Sequence, residues 1–249
     1  MEKVLINDND FKKVDEYFTK LSYKSKEIKN LLESLKKYGE LILLGGAIRD
    51  ILIKDDNPRD IDLIIDTNKN LDANREIDKI LDKYTICQKN RFGGYKLNID
   101  GIEFDIWTMD NHWAFKNKLL TREIDNLKYS TFLDFDSIWY NLYNEKESNK
   151  YEYTFFNDCI ESNQINIISN KKELVDLNPT KDINIIRILN IKNEWNLGIG
   201  DSVKKYVNNW VGANNNWVDE LYYAQIKHYK IEKLKKELIK ELVREVLEM

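Results

Sequence analysis

A short apolar run that ends in two glycines constrains the fold of this chain more than any other feature. Leu41 to Leu44 predict a buried strand, and Gly45 and Gly46 lead from it into a short helix with the sequence AIRDILI. An Asn-Pro turn follows, after which residues 60–66, DIDLIID, alternate acidic with apolar side chains as a half-buried strand does. The sheet of this protein therefore begins with a strand, a glycine turn, a short helix and a second strand.

Helical and strand-like patterns flank this unit. Residues 10–38 carry apolar side chains at helical spacing and predict one or two amphipathic helices, and a further helix is expected over 70–83. Alternation predicts more strands, with a hairpin at Asp100-Gly101, over residues 84–88, 94–99, 102–107, 130–135 and 138–143. After about residue 145 the pattern is mainly helical, most clearly over 182–197, 202–211 and 217–248. We expect N-terminal helices over 1–40, a sheet domain over 41–145 and a mainly helical region over 146–249.

The composition restricts the chemistry to carboxylates. Two histidines and two cysteines leave almost no material for a zinc site or for Ser/His or Cys/His catalysis, and Cys87 and Cys159 are predicted to be buried free thiols. The net charge of −4 confines any nucleic-acid contact to a local patch. No apolar run reaches the roughly 20 residues of a membrane span and no secretory signal is visible, so we expect a cytoplasmic protein without membrane contact.

Three aspartates form a candidate metal site. Asp60 and Asp62 point to the same face of their strand, and Asp105 stands alone among the apolar neighbours of GIEFDIW, where an acidic residue is seldom buried without a partner. Two-metal phosphoryl transfer needs convergent carboxylates of this kind, and hard oxygen ligands suit Mg²⁺. A D-x-D pattern alone also fits a solvated strand edge, so its weight depends on what stands upstream.

The glycine pair upstream is a candidate phosphate cradle. Glycine permits positive φ and close backbone approach, and successive N–H groups at the start of a helix bind anions, so Gly45 and Gly46 could hold a triphosphate. Arg49 lies in the first turn and could add a bidentate phosphate contact. Asp50 either belongs to this site or pairs with Arg49 or Arg59. By itself, Gly-Gly also fits an ordinary turn.

Together these residues resemble a known signature. GGAIRDILIKDDNPRDIDLIID, residues 45–66, is similar to the head domain of the DNA polymerase β superfamily, in the branch of bacterial poly(A) polymerases and class II CCA-adding enzymes. That signature reads GG-x-x-R-D, a variable loop and D-x-D, in this order. The resemblance covers residues 41–108. It implies an α+β fold with a palm-like mixed sheet flanked by helices, a triphosphate held by Gly45 and Gly46, and metal held by Asp60, Asp62 and Asp105.

The resemblance implies an enzyme. We expect a metal-dependent, template-independent nucleotidyltransferase that uses two Mg²⁺ ions, or Mn²⁺ in their place. It would move a nucleoside monophosphate from an NTP or dNTP to the 3′ hydroxyl of a tRNA-like or oligonucleotide acceptor, releasing pyrophosphate. Two alternatives stay open: an antiviral-defence or toxin-type enzyme that makes an oligonucleotide signal or nucleotidylates a protein or tRNA, and a non-catalytic nucleotide sensor. The apolar stripe of the last helix is expected to pack against the body or a second subunit, and its lysines either are solvated or contact nucleic acid.

Overall fold

A mixed sheet of seven strands organises the structure, a computed structural model that describes residues 5–54, 57–84, 88–89, 93–144, 150–168, 172–177 and 180–248. The strands are β1 (Glu40–Leu44), β2 (Asp60–Asp66), β3 (Gln88–Lys89), β4 (Tyr95–Ile99), β5 (Ile102–Thr108), β6 (Trp139–Leu142) and β7 (Tyr151–Glu152). Their order in the sheet is β3-β4-β5-β2-β1-β6-β7. Strands β2 and β5 run parallel, and the other neighbours run antiparallel.

Helices surround the sheet and form the C-terminal region, which confirms the expected fold class. They are α1 (Lys12–Lys24), α2 (Lys26–Lys36), α3 (Gly46–Arg49), α4 (Leu71–Leu81), α5 (Trp113–Lys116), α6 (Thr154–Ser162), α7 (Lys172–Leu177), α8 (Lys181–Trp195), α9 (Asp201–Ala213), α10 (Trp217–Tyr229) and α11 (Lys236–Glu248). A π-helical turn, Asp50–Lys54, continues α3. Two further short strands, β8 (Gln164–Ile165) and β9 (Gly198–Ile199), pair in parallel. In the described ranges, no helix is long and apolar enough to cross a membrane.

The chain divides into two compact units. The sheet unit holds Ile6–Ser130 and Asp136–Thr154. The helical unit holds Leu5, Thr131–Phe135 and the described residues from Phe155 onward. The sheet unit contains β1 to β7 and helices α1 to α5, whereas the helical unit contains β8, β9 and α7 to α11.

The first two helices bury one face each, as their periodicity predicts. Their apolar side chains are almost fully buried: Val14, Phe18, Leu21, Ile28, Leu31, Leu32 and Leu35. Each such side chain contributes about 1.5–3 kcal/mol when it leaves water. Ser25 separates the two helices, and its hydroxyl accepts a hydrogen bond from the Ile28 N–H at 3.0 Å, which caps the start of α2.

The predicted strand over 130–135 is wrong. Residues Asp134–Asp136 form a 3₁₀ turn, and Leu133 makes only an isolated bridge to Ile167. The carboxylate of Asp134 accepts hydrogen bonds from the N–H groups of Phe135 and Asn166, at 2.8 and 2.9 Å. These bonds to the backbone compete with strand pairing, because a short polar side chain offers main-chain donors a local alternative.

The stretch predicted to be helical over 217–248 forms two helices, α10 and α11, with a break between them. Lys230 adopts a left-handed conformation with φ +60° and ends α10. The fully buried side chain of Gln225 then holds the connection: its carbonyl accepts from the N–H groups of Lys233 and Leu234, and its amide donates to the Leu234 carbonyl. Helical periodicity on both sides of the break conceals it in the sequence.

A partly buried arginine, Arg122, ties together the far ends of the two parallel strands. Arg122 donates to Asp66, the last residue of β2, at 2.7 Å and to Asp110, just after β5, at 2.5 Å. The side chain of Arg122 is 16% exposed and that of Asp66 is 15% exposed. Two carboxylates in such a place repel each other unless a cation stands between them, so this bridge fixes β2 beside β5.

Replacing that cation tests its structural role. Arg122→Met is expected to lower the free energy of unfolding by about 3 kcal/mol, because it leaves two shielded carboxylates without a partner. Arg75→Met is the control, because Arg75 lies 3.6 Å from Asp72 in a pair of which both side chains are more than three-quarters exposed; about 0.5 kcal/mol or less is expected there. Urea unfolding followed by circular dichroism measures both, and equal losses would contradict the bridge.

Candidate active site

The two aspartates of the D-x-D pattern lie beside two further carboxylates, Glu103 and Asp105, on one face of the sheet. Asp60 and Asp62 share this face, whereas Ile61 and Leu63 are fully buried on the other. The parallel pairing of β2 with β5 sets Asp62 directly beside Asp105 and Asp60 beside Glu103. Sequence positions more than 40 residues apart therefore supply one acidic surface, and the three aspartates predicted as a metal site lie together on it.

A lysine from the next strand contacts the third of these aspartates. The antiparallel register of β4 and β5 places Lys96 opposite Asp105, and its Nζ lies 3.1 Å from Asp105 Oδ2. The other carboxylate oxygen, Oδ1, is buried and has no hydrogen-bond partner among the described residues. Burial raises the pKa of Asp105, and the nearby Lys96 ammonium opposes that rise without cancelling it. Asp105 is thus a shielded carboxyl with one oxygen still to be satisfied.

Apolar packing confines the acidic part of this face to the start of β2. Beyond Asp62, the same face continues in a cluster of buried side chains: Ile42, Leu44, Ile64, Met109, Phe115, Leu127 and Trp139. Register pairs Leu44 with both Asp62 and Trp139, so the cluster begins in the row that holds the aspartate. Asp60 lies at the open end, where Arg59 donates a hydrogen bond to it. The cluster packs the strands together, whereas Asp60 and Asp105 at the acidic end remain partly exposed.

Gly45 makes the sharp exit from β1 that brings the short helix beside the carboxylates. Its backbone has φ +71° and ψ −122°, a region that a residue with a Cβ enters only with strain. Its N–H donates to the Ile138 carbonyl at 2.7 Å, so this donor serves the turn and does not face outward. Gly46 then begins α3. The last residue of β1, Leu44, pairs with Asp62, so α3 starts two residues beyond the row that holds this aspartate.

Arg49 packs back against the turn. Its Nη1 donates to Asp136 Oδ1 at 2.8 Å, and the two side chains are 12% and 5% exposed. A Cβ on Gly46 would stand 3.4 Å from the Arg49 guanidinium, so glycine leaves room for this pair. Asp50 Oδ1 lies 3.6 Å from Lys54 Nζ. This ion pair fixes α3 to the segment before β6, a role for Arg49 that the sequence does not indicate.

The carboxylate oxygens of Asp60, Asp62 and Asp105 are of the kind that binds a hard divalent cation, although they do not converge on a single position. Among the described residues, no group of three or more His, Cys, Asp or Glu side chains is arranged to hold a metal ion. The Lys96 ammonium occupies one oxygen of Asp105 instead. Carboxylate oxygens are nevertheless the ligands that Mg²⁺ prefers. The buried Oδ1 of Asp105, which has no hydrogen-bond partner in the described part of the chain, is an oxygen of this kind.

Neither His112 nor Cys159 supplies a reactive group to this face. His112 is 2% exposed, and burial lowers its pKa to about 4, so it packs as a neutral ring. Cys159 is buried in the helical unit and forms no disulfide with another described residue, as predicted. The other cysteine, Cys87, lies outside the described residues. Carboxylates remain the reactive groups at the site, as the composition indicates.

Sequence analysis did not identify three residues at the site: Lys96, Glu103 and Asp136. Alternation in YKLNI and GIEFDIW already places Lys96 and Glu103 on the polar faces of their strands. Their positions opposite Asp105 and beside Asp60 depend on strand register, which a single sequence does not reveal. Asp136 follows Asp134 in a turn, and nothing near it in the sequence signals its pairing with Arg49.

No protein-family model and no curated protein matches the sequence. Solved structures do match. A CCA-adding enzyme in complex with CTP aligns with a TM-score of 0.59 at 16% identity, covering 92% of this chain and 54% of that one. A Thermotoga maritima CCA-adding enzyme complexed with tRNA aligns with a TM-score of 0.57 at 14% identity, covering 89% and 51%. A tRNA-processing enzyme in an apo form aligns with a TM-score of 0.56 at 15% identity, covering 98% and 58%.

These matches show a shared fold. The chain spans about half the length of the solved structures that it matches. At this level of identity the likeness extends to the path of the backbone, the mixed sheet and its flanking helices, which confirms the fold that the signature predicts.

The strained turn at Gly45 gives a stability prediction. Gly45→Ala is expected to lower the free energy of unfolding by about 1–2 kcal/mol, because alanine resists the left-handed region. The nearest atom to the new Cβ, the Asp136 carbonyl oxygen, would be at an ordinary 3.5 Å, so the loss is conformational. Gly212→Ala, in α9 with open space around it, is expected to raise stability by about 0.5–1 kcal/mol. Thermal unfolding of both variants checks the opposite signs, and a Gly45→Ala variant as stable as wild type contradicts the account.

Proposed function

We propose that this protein is a template-independent nucleotidyltransferase, which moves a nucleoside monophosphate from an NTP or dNTP to the 3′ hydroxyl of a tRNA-like or oligonucleotide acceptor and releases pyrophosphate. The observation that carries the proposal is the acidic surface formed by Asp60, Asp62 and Asp105 on adjoining parallel strands. It lies at the end of a strand that leads through Gly45 into a short helix. The fold is one that CCA-adding enzymes share.

Asp60, Asp62 and Asp105 would hold the divalent cations, two Mg²⁺ ions or Mn²⁺ in their place. Bound cations would clamp the triphosphate and make the attacking hydroxyl more acidic. Support for this assignment comes from the carboxylate oxygens themselves, which are hard ligands, and from Asp105 Oδ1, for which the described residues provide no hydrogen-bond donor.

The residues of the chain divide the remaining work. The turn at Gly45 and Gly46 carries no side chain, so a triphosphate can approach the backbone closely. Asp105 would accept the proton of the 3′ hydroxyl through the carboxylate oxygen that has no hydrogen-bond partner among the described residues. Arg49, held by Asp136, keeps the short helix in place, and Asp50 lies one residue further along this helix. In-line attack of the hydroxyl oxygen on the α-phosphate forms one P–O bond and breaks the bond to pyrophosphate.

The choice of acceptor rests on the similar structures and on charge. Several of these structures are tRNA-processing or CCA-adding enzymes, one of them complexed with tRNA, which favours an RNA 3′ end. The net charge of −4 favours a small contact area with the acceptor. The same charge supports a second candidate, a defence or toxin-type enzyme that joins nucleotides into a signal or nucleotidylates a protein or tRNA.

Asp62 and Asp60 are the direct tests of the chemistry. Asp62→Asn and Asp60→Asn are each expected to lower kcat by at least about 100-fold, near 3 kcal/mol of barrier, because each removes a charged ligand for the cations. Binding of the nucleotide base and sugar is expected to change less. Asp72→Asn, an 88% exposed carboxylate in α4, is the matched control and should retain full turnover. Turnover within tenfold of wild type in both site variants contradicts the mechanism.

The substrate is identified by a product assay. Each of the eight common NTPs and dNTPs is incubated with Mg²⁺ or Mn²⁺, with and without total tRNA, while pyrophosphate release is measured and labelled products are resolved on a gel. Extension of tRNA is the expected result and names the base. Products formed without tRNA support the signal-synthase alternative instead. Nucleotide binding without pyrophosphate release under every condition would contradict both enzymes and favour a sensor.

A further inference from the structure

Strand register places Lys96 at the edge of the acidic surface, beside Asp105. In β4, Tyr95, Leu97 and Ile99 are buried, so alternation turns Lys96 to the polar side. The pairing of β4 with β5 and of β5 with β2 then sets Lys96, Asp105 and Asp62 in one row across three strands. The ammonium therefore stands on the same face as the proposed cation ligands.

Lys96 contacts the carboxylate of Asp105, which a cation would also use. Its Nζ lies 3.1 Å from Asp105 Oδ2, at a side chain that is 21% exposed, while the Lys96 side chain itself is 49% exposed. The neighbouring carboxylates of Asp60 and Glu103 add to the negative potential there. A row of carboxylates without a cation is unfavourable, and the ammonium is the positive charge that the fold itself supplies.

An ammonium and a divalent cation compete for one carboxylate. Both are positive, so a cation that binds either oxygen of Asp105 repels the Lys96 ammonium and favours its release from Oδ2. The long, flexible lysine side chain is half exposed, so it can leave Asp105 for solvent without disturbing the sheet.

We propose, on the basis of the nucleotidyltransferase function proposed above, that Lys96 is a positioning residue that acts as a built-in counter-ion. Its ammonium holds Asp105 in place before a divalent cation binds and is displaced when the cation arrives. Lys96 thereby stabilises the cation-free site and weakens the affinity of the site for the cation. The two effects are linked, because one contact produces both.

Four proteins test this proposal: wild type, Lys96→Met, Lys96→Arg and Lys236→Met. Mn²⁺ binding is followed by the electron paramagnetic resonance signal of the free ion at pH 8, and thermal unfolding is followed in EDTA and in saturating Mg²⁺. Lys236→Met is the matched control, because Lys236 is a 44% exposed lysine paired with Asp219 in the helical unit. Neither measurement requires turnover.

The two effects should appear together in Lys96→Met. We expect this variant to bind Mn²⁺ about three- to tenfold more tightly than wild type, because the competing charge is gone. Its Tm should be below that of wild type in EDTA, with a difference that shrinks in Mg²⁺. Lys96→Arg, which keeps the charge, should resemble wild type in both measurements. Lys236→Met should bind Mn²⁺ as wild type does and change Tm equally in both conditions.

Asp62→Asn separates failure of this proposal from failure of the proposed function. If Mn²⁺ binds wild type and Asp62→Asn equally, the cation site of the proposed function is wrong, and the role of Lys96 is wrong with it. If binding depends on Asp62 but Lys96→Met has the affinity of wild type, the counter-ion role alone is overturned. A Tm loss in Lys96→Met that is equal in EDTA and Mg²⁺ also overturns it, because that result indicates a merely structural ion pair.

Discussion

The parallel pairing of β2 with β5 is the constraint on which the proposed site depends. A shift of one residue in this register would turn Asp105 away from the face that carries Asp62, because side chains alternate along a strand. Buried residues on both faces beyond Asp62 fix the register, and the Arg122 bridge closes the far end of the two strands. The two ends of these strands thus have different roles. The apolar end with the Arg122 bridge fixes the strand register, and this register brings the proposed catalytic aspartates together at the acidic end.

The carboxylates at the acidic end repel one another, and two basic side chains of the protein reduce this repulsion. Arg59 contacts Asp60, and Lys96 contacts Asp105. Each contact is made by a side chain at least 49% exposed, whereas the arginine that fixes α3 is 12% exposed. The arginine with a structural role is therefore shielded from solvent, whereas Arg59 and Lys96 at the acidic surface are exposed enough to change position. This distribution suits a site whose positive charge has to change when substrate and metal bind.

Sequence reasoning predicted the parts of this site that local patterns encode. Period-two alternation gave the face of Asp60 and Asp62, apolar surroundings singled out Asp105, and the glycine pair predicted the turn that φ +71° at Gly45 confirms. Contacts between segments that are distant in the sequence could not be predicted in this way. Lys96 and Asp136 act through partners that only tertiary register or packing brings close. The break between α10 and α11 depends on a buried Gln225, which helical periodicity does not reveal.

Anomalous scattering from Mn²⁺ in crystals of the wild-type protein, grown with a non-hydrolysable nucleoside triphosphate, tests the central claim most directly. The account predicts a Mn²⁺ peak within coordination distance of both Asp62 and Asp105, with the triphosphate beside the turn at Gly45 and the Lys96 ammonium moved off Asp105. A triphosphate bound elsewhere, or Mn²⁺ absent from the row of Asp62 and Asp105 while nucleotide is bound, would contradict it.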